Sequence, residues 1–383
     1  MRFRTMTALS SLGVLLVSMT VFTPPSTASA RAPRVASSGR VWASIATSGT
    51  HTCGVRRDHT LWCWGANTHG QLGLGDTADR LTPTAVGGAD WARVKVGDRF
   101  TCGIRLDHTL WCWGANPHGE LGLGDRTDRL TPTQVEGSDW VVITADDYHA
   151  CGIRLNHTLW CWGQNSDGAL GVGDERRRTE PTRVGADADW RGVQVSFYTC
   201  ASRLDGTLWC WGNNFYGQLG LGDTISRHVP TRVGADATWA HIGLGTGHTC
   251  ATQRDRSLWC WGSDHYGQLG FGDTMDRLTP SRVPAGKQWA SITMGGSSSC
   301  GLRTNGTLWC WGLNYFGALG LGDRLDRHMP TRVGTDADWA SVTTSGSATC
   351  GIRLDHSLWC WGYNGRGALG LGDVQDRLVL TRV

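Results

Sequence analysis

The sequence predicts an all-β fold: a seven-bladed β-propeller whose blades are four-stranded antiparallel sheets, each holding one disulfide. Three observations carry this expectation. Trp42, Trp91, Trp140, Trp190, Trp239, Trp289 and Trp339 open seven successive units spaced 49 or 50 residues apart. Within a unit the apolar runs have strand length and are separated by glycine, proline and aspartate, with no amphipathic helical stretch. All 14 cysteines fall on repeating positions, two to a unit. Small sheets that cannot bury both faces alone are expected to stack radially around a central channel.

In the first unit the strands are expected at residues 42–46, 53–56, 60–65 and 84–86. Register follows from the connection between the second and third strands. Thr304-Asn305-Gly306 and Leu204-Asp205-Gly206 read as three-residue hairpin loops that end in a left-handed glycine. Arg303 then faces Thr307, and counting outward pairs Leu302 with Leu308, Gly301 with Trp309, and Cys300 with Cys310. His59, His108, His157 and His356 stand where other units have that glycine, and histidine is among the residues enriched in the left-handed conformation. These histidines are turn residues, not metal ligands. Along Leu308-Trp309-Cys310-Trp311, side chains alternate between faces that are both apolar, so neighbouring blades must cover both.

The cysteine pairs are Cys53 with Cys63, Cys102 with Cys112, Cys151 with Cys161, Cys200 with Cys210, Cys250 with Cys260, Cys300 with Cys310, and Cys350 with Cys360. Zinc is the competing reading. It calls for close pairs such as C-x-x-C, which are absent, and an exported chain favours oxidation. No metal and no cofactor is therefore expected.

Export is read from the N-terminus. Arg2 and Arg4, an apolar stretch at 8–22 and Ala28-Ser29-Ala30 have the form of a cleavable secretory signal over residues 1–30, followed by a short linker at 31–40 and the propeller at 41–383. The mature chain is expected outside the cell, or in the periplasm or cell envelope, without a membrane anchor. Without the two signal arginines, basic and acidic residues nearly balance. Lys95 and Lys287 are the only lysines, and the arginines are spread evenly, which argues against a nucleic-acid partner.

The units H-T-C-G, LWCWG, N-x-x-G-Q-L-G-L-G-D and P-T-x-V resemble regulator-of-chromosome-condensation repeats over residues 41–383, as in a secreted bacterial member with seven repeats. The resemblance implies a seven-bladed propeller. The family's eukaryotic namesake is a nuclear exchange factor for a small GTPase, which does not suit an exported chain. A secreted bacterial relative inhibits β-lactamases through one face of its ring. No lysine follows the glycines as in a phosphate-binding loop, so nucleotide binding is not expected.

Because repeated positions serve the fold, a site is sought where the units differ. Two loops vary, the one before each first cysteine and the one after LWCWG, and an up-and-down sheet places both on one face. Phe100, Tyr148, Phe197, Tyr198, Phe215, Tyr216, Tyr266, Tyr315 and Phe316 lie in them and form the expected partner-binding surface, since large rings give contact area at low entropic cost. The opposite face is expected to be small and polar. The repeated Gly-Asp with a following arginine, as in Asp76 and Arg80 or Asp373 and Arg377, reads as turn structure, because a catalytic set is made once from different residue types. No catalytic residue is expected. The chain reads as a monomeric, non-catalytic binding protein with a protein partner. Carbohydrate or cell-wall binding, or inhibition of a secreted enzyme such as a β-lactamase, are the competing functions.

Overall fold

A computed structural model describes residues 41–383; the signal and linker expected at 1–40 lie outside the described residues. Seven four-stranded antiparallel sheets follow one another in sequence order, each built from consecutive strands. The first blade comprises Trp42–Thr47, His51–Arg56, Leu61–Gly65 and Arg80–Ala85. One short 3-10 turn, Ser166–Gly168, interrupts the pattern among the described residues.

Cys300 faces Cys310, Gly301 faces Trp309 and Leu302 faces Leu308, as the hairpin arithmetic predicts. All seven cysteine pairs form disulfides within their own blades, with Cα atoms 4.1–4.2 Å apart, the close spacing of non-hydrogen-bonded positions. His59, His108, His157 and His356 take φ of 61–65° at the hairpins. Two strands are longer than expected. The fourth starts at Arg80, because Arg80 pairs with Gly65 across an irregularity that skips Trp64. The second starts at His51, paired with Gly65, which bears directly on the site.

The core lies between blades. Cys53, Val55, Leu61, Cys63, Leu72 and Val86 of the first blade pack with Trp91, Val94, Val96 and Trp113 of the second. Trp113 Nε1 donates back to the carbonyl of Gln71 at 3.0 Å. The ring closes with the same contacts: Trp42 and Trp64 pack on Cys350, Ile352 and Leu358 of the last blade, and Trp64 Nε1 donates to Ala368 O at 2.9 Å. No strand is exchanged between the ends. The first tryptophan of LWCWG is half-buried, and in six blades an arginine covers it. Arg353, for example, lies 4.4 Å over Trp359 and 4.8 Å over Trp339. The fifth blade has Gln253 there, and Trp239 instead meets Trp259 edge-on at 6.3 Å.

Candidate partner-binding face

Both variable loops lie on one face, in contact across blades. Thr50 Oγ1, before the second strand of blade one, donates to the carbonyl of Asp98 in the matching loop of blade two at 2.8 Å. Tyr148, in the loop before a second strand, meets His118, in the loop after a third strand, at 6.1 Å. First strands of all seven blades line a central channel of about 540 Å³ that opens on this face.

The structure divides the expected surface residues by one rule. In each loop before the first cysteine, the residue two positions ahead of the cysteine already belongs to the second strand and shares the cysteine's face. Phe100 (1% exposed) and Tyr198 (0%) occupy this place and are therefore corrected to core residues. Phe100 packs with Cys102 against Trp140 and Trp162, and the Tyr198 hydroxyl donates to His248 O at 2.7 Å. His51, His149 and His248 hold the same place, each within 3.1 Å of a hydroxyl of the next blade. Burial pushes their imidazoles down, to about 3, 4 and 3 respectively. One residue earlier the chain is at the rim, and Tyr148 and Phe197 are exposed there.

Phe215, Tyr216, Tyr266 and Tyr315 are exposed on the loops after LWCWG, while Phe316 is half-buried. Three groups of rings result. His118, Tyr148 and Phe197 form one, with Tyr148 and Phe197 5.8 Å apart. Tyr216 and His265 meet edge-on at 5.9 Å. Tyr315, Phe316 and Tyr363 form the third, at 4.8 and 5.1 Å. Sequence reasoning missed Tyr363, His118 and His265; Tyr363 directly follows LWCWG, so its place beside the variable pair could have flagged it.

Every exposed tyrosine or phenylalanine among the described residues lies in these two loops. The opposite face differs from its expected polar character, because Leu106, Leu155, Leu204 and Leu354 are exposed at its hairpins. They follow the strand-ending arginine, one step past the covered stretch, and point to solvent.

Asp98, Asp146 and Asp147 gather at the channel mouth. Burial first, and then Asp98, push Asp147 up to about 6; Asp146 is raised by burial and by both neighbours. Lys95 is an exposed side chain of the channel lining, and the protein mass around it and the charge of Arg93 hold its amine down. Each Gly-Asp turn aspartate pairs with the arginine four residues on, at 2.5–2.9 Å, in all seven blades. These pairs are partly exposed and repeat with the fold, which fits the turn-structure reading.

The sequence profile of the regulator of chromosome condensation (RCC1) repeat matches residues 58–104, 107–153, 156–197, 205–252, 255–302 and 305–352. A second profile of the same repeat matches 42–71, 91–120 and 289–318. Human WBSCR16 shares the fold with a TM-score of 0.75 at 20% identity, over 85% of this chain and 93% of that one. Prp20p of Saccharomyces cerevisiae, whose structure was described with its binding to Gsp1p and histones, gives 0.76 at 21% identity, over 86% and 87%. Ras guanine nucleotide exchange factor C of Dictyostelium discoideum is 52% identical over 42 residues, which is 11% of this chain and 3% of that protein's length. With six repeat matches over most of its length and seven four-stranded blades, the chain belongs to the regulator of chromosome condensation repeat family.

Proposed function

We propose that this chain is a secreted, non-catalytic propeller that binds a partner protein through the aromatic loops of one face. The carrying observation is the confinement of exposed tyrosine and phenylalanine side chains to two loops that share that face. These rings stay largely in water while most tryptophans are buried or covered by arginine, and such rings are the usual anchors of protein interfaces. Prp20p, a protein of the same fold, binds the proteins Gsp1p and histones, which agrees with a propeller working by contact and not by chemistry. The repeated aspartates are each used by a turn arginine, leaving no set of unlike residues arranged for catalysis among them.

The test replaces Phe215, Tyr216, Tyr315 and Phe316 together with serine and compares capture from native culture medium and envelope extract. A partner retained in stoichiometric amount by the parent is expected to be lost by the variant. Unchanged capture refutes the assignment of the face, and a hit on a glycan array with the same dependence on these rings transfers it to carbohydrate.

A further inference from the structure

In six blades one asparagine fastens the loop after the third strand to the Gly-Asp turn. The side-chain carbonyl of Asn67, Asn116, Asn165, Asn214, Asn314 or Asn364 accepts the N–H of a leucine five residues on, at 2.8–3.0 Å. Its amide nitrogen donates to the carbonyl and Oδ1 of the turn aspartate, at 2.7–3.2 Å.

The fifth blade carries Asp264 at this position, with 0% exposure. Its Oδ1 accepts Leu269 N–H at 2.9 Å, as each asparagine does with its own leucine. That leaves Oδ2 in the place of the amide nitrogen, against Asp273, and Oδ2 has no donor. An ionised carboxylate offers only acceptors, so here acceptor would face acceptor in a site closed to water. One proton on Oδ2 restores the donor that the other six blades have.

We propose that Asp264 is a proton-operated latch on the partner-binding face: neutral, it donates to Asp273 and holds the loop 263–276 closed; ionised, it lets go of that loop and of His265 and Tyr266, which the loop presents. This deepens the aromatic-face reading and rests on it for its consequence, but not for its mechanism.

The surrounding groups favour the neutral form. Burial raises the Asp264 carboxyl most, the charges of Asp273 and Asp276 add to this, and Leu269 N–H and Arg277 oppose it, leaving it at about 7. Arg277 is committed to Asp273, reaching both of its carboxylate oxygens at 2.9 and 3.3 Å. His265 contacts Ser263 Oγ at 3.2 Å, and from the next blade His328 abuts Gly267. Tyr266 N–H is held by Gln268 Oε1 at 2.9 Å, so the residue on display and the latch belong to one short loop.

The sign follows from linkage. An acid whose folded pKa is raised contributes stability in full below its ordinary value of 3.8, loses it as pH rises to about 7, and loses no more above that. The test compares the parent with Asp264→Asn, which is expected to fold because six blades carry asparagine there. Backbone hydrogen exchange, corrected for the intrinsic effect of pH, is followed in 263–276 from about pH 6 to about pH 8.5. Protection in the parent should fall about tenfold or more over this range and level off above about pH 7, while Asp264→Asn stays protected throughout. The thermal midpoint of Asp264→Asn should exceed that of the parent by a margin that widens from about pH 4 to about pH 7 and then levels off. Identical exchange profiles in the two proteins, or an ionised Asp264 at about pH 6 with the loop still closed, overturn the latch. Both readouts use the isolated protein, so their failure leaves the partner-binding reading intact. Loss of that reading in the serine test leaves the latch standing.

Discussion

Tyr198 and Phe197 are neighbours in sequence with opposite fates, and the difference is one step of strand alternation. Tyr198 lies on the cysteine side of the second strand, packed with Cys200 and Trp239 between two blades; Phe197 stands at the rim. Tyr198→Ala is expected to cost about 3–5 kcal/mol, the range for emptying a buried aromatic site. Phe197→Ser should stay within about 0.5 kcal/mol. Denaturant midpoints of the two variants check this, and equal losses would contradict the assignment of strand faces. The aromatic composition of these loops was legible in the sequence, but the division between core and rim was not. It depends on where the second strand begins, and neither Arg99-Phe100 nor Phe197-Tyr198 carries a turn residue to mark that point.

Within a blade the sequence motifs are packing devices. In the L-G-L-G-D run, the first glycine has a left-handed backbone and lies against the indole of the next blade. At Gly320, φ is +71° and an added Cβ would come within 2.7 Å of Trp361 Nε1. That indole donates to Ala318 O at 2.8 Å, so it is not free to withdraw. Gly334 has a similar φ of +63° and nothing within 4 Å. Gly334→Ala should therefore cost only the backbone term, about 1–2 kcal/mol. Gly320→Ala should add an overpacking cost of about 1–3 kcal/mol. Equal unfolding midpoints would show that the glycine serves the turn and not the blade interface. The G-x-x-G-x-G-D spacing could be mistaken for a phosphate loop; the contact with a neighbour's tryptophan explains it without a ligand.

At the scale of the ring, the first and last blades meet as any other two do. Trp42 N–H reaches His356 O at 3.3 Å, matching the bond from Trp91 N–H to His59 O at 3.0 Å. No strand crosses the seam, so chain connectivity there is not needed for closure. A circular permutant that begins at Trp91, ends at Asp90 and joins Val383 to Val41 through Gly-Ala-Asp should unfold within a few degrees of the parent in a thermal scan. A large loss would show that the seam depends on where the chain ends lie. Seven blades, the disulfide pairing and the hairpin register all followed from the sequence alone, because each is a local relation repeated seven times and every copy tests the others. Which rings face solvent, which arginine covers which tryptophan, and the site in which Asp264 replaces an asparagine were decided only by the tertiary structure. Those features arise where one element presses on another, and contact of that kind leaves no period in the chain.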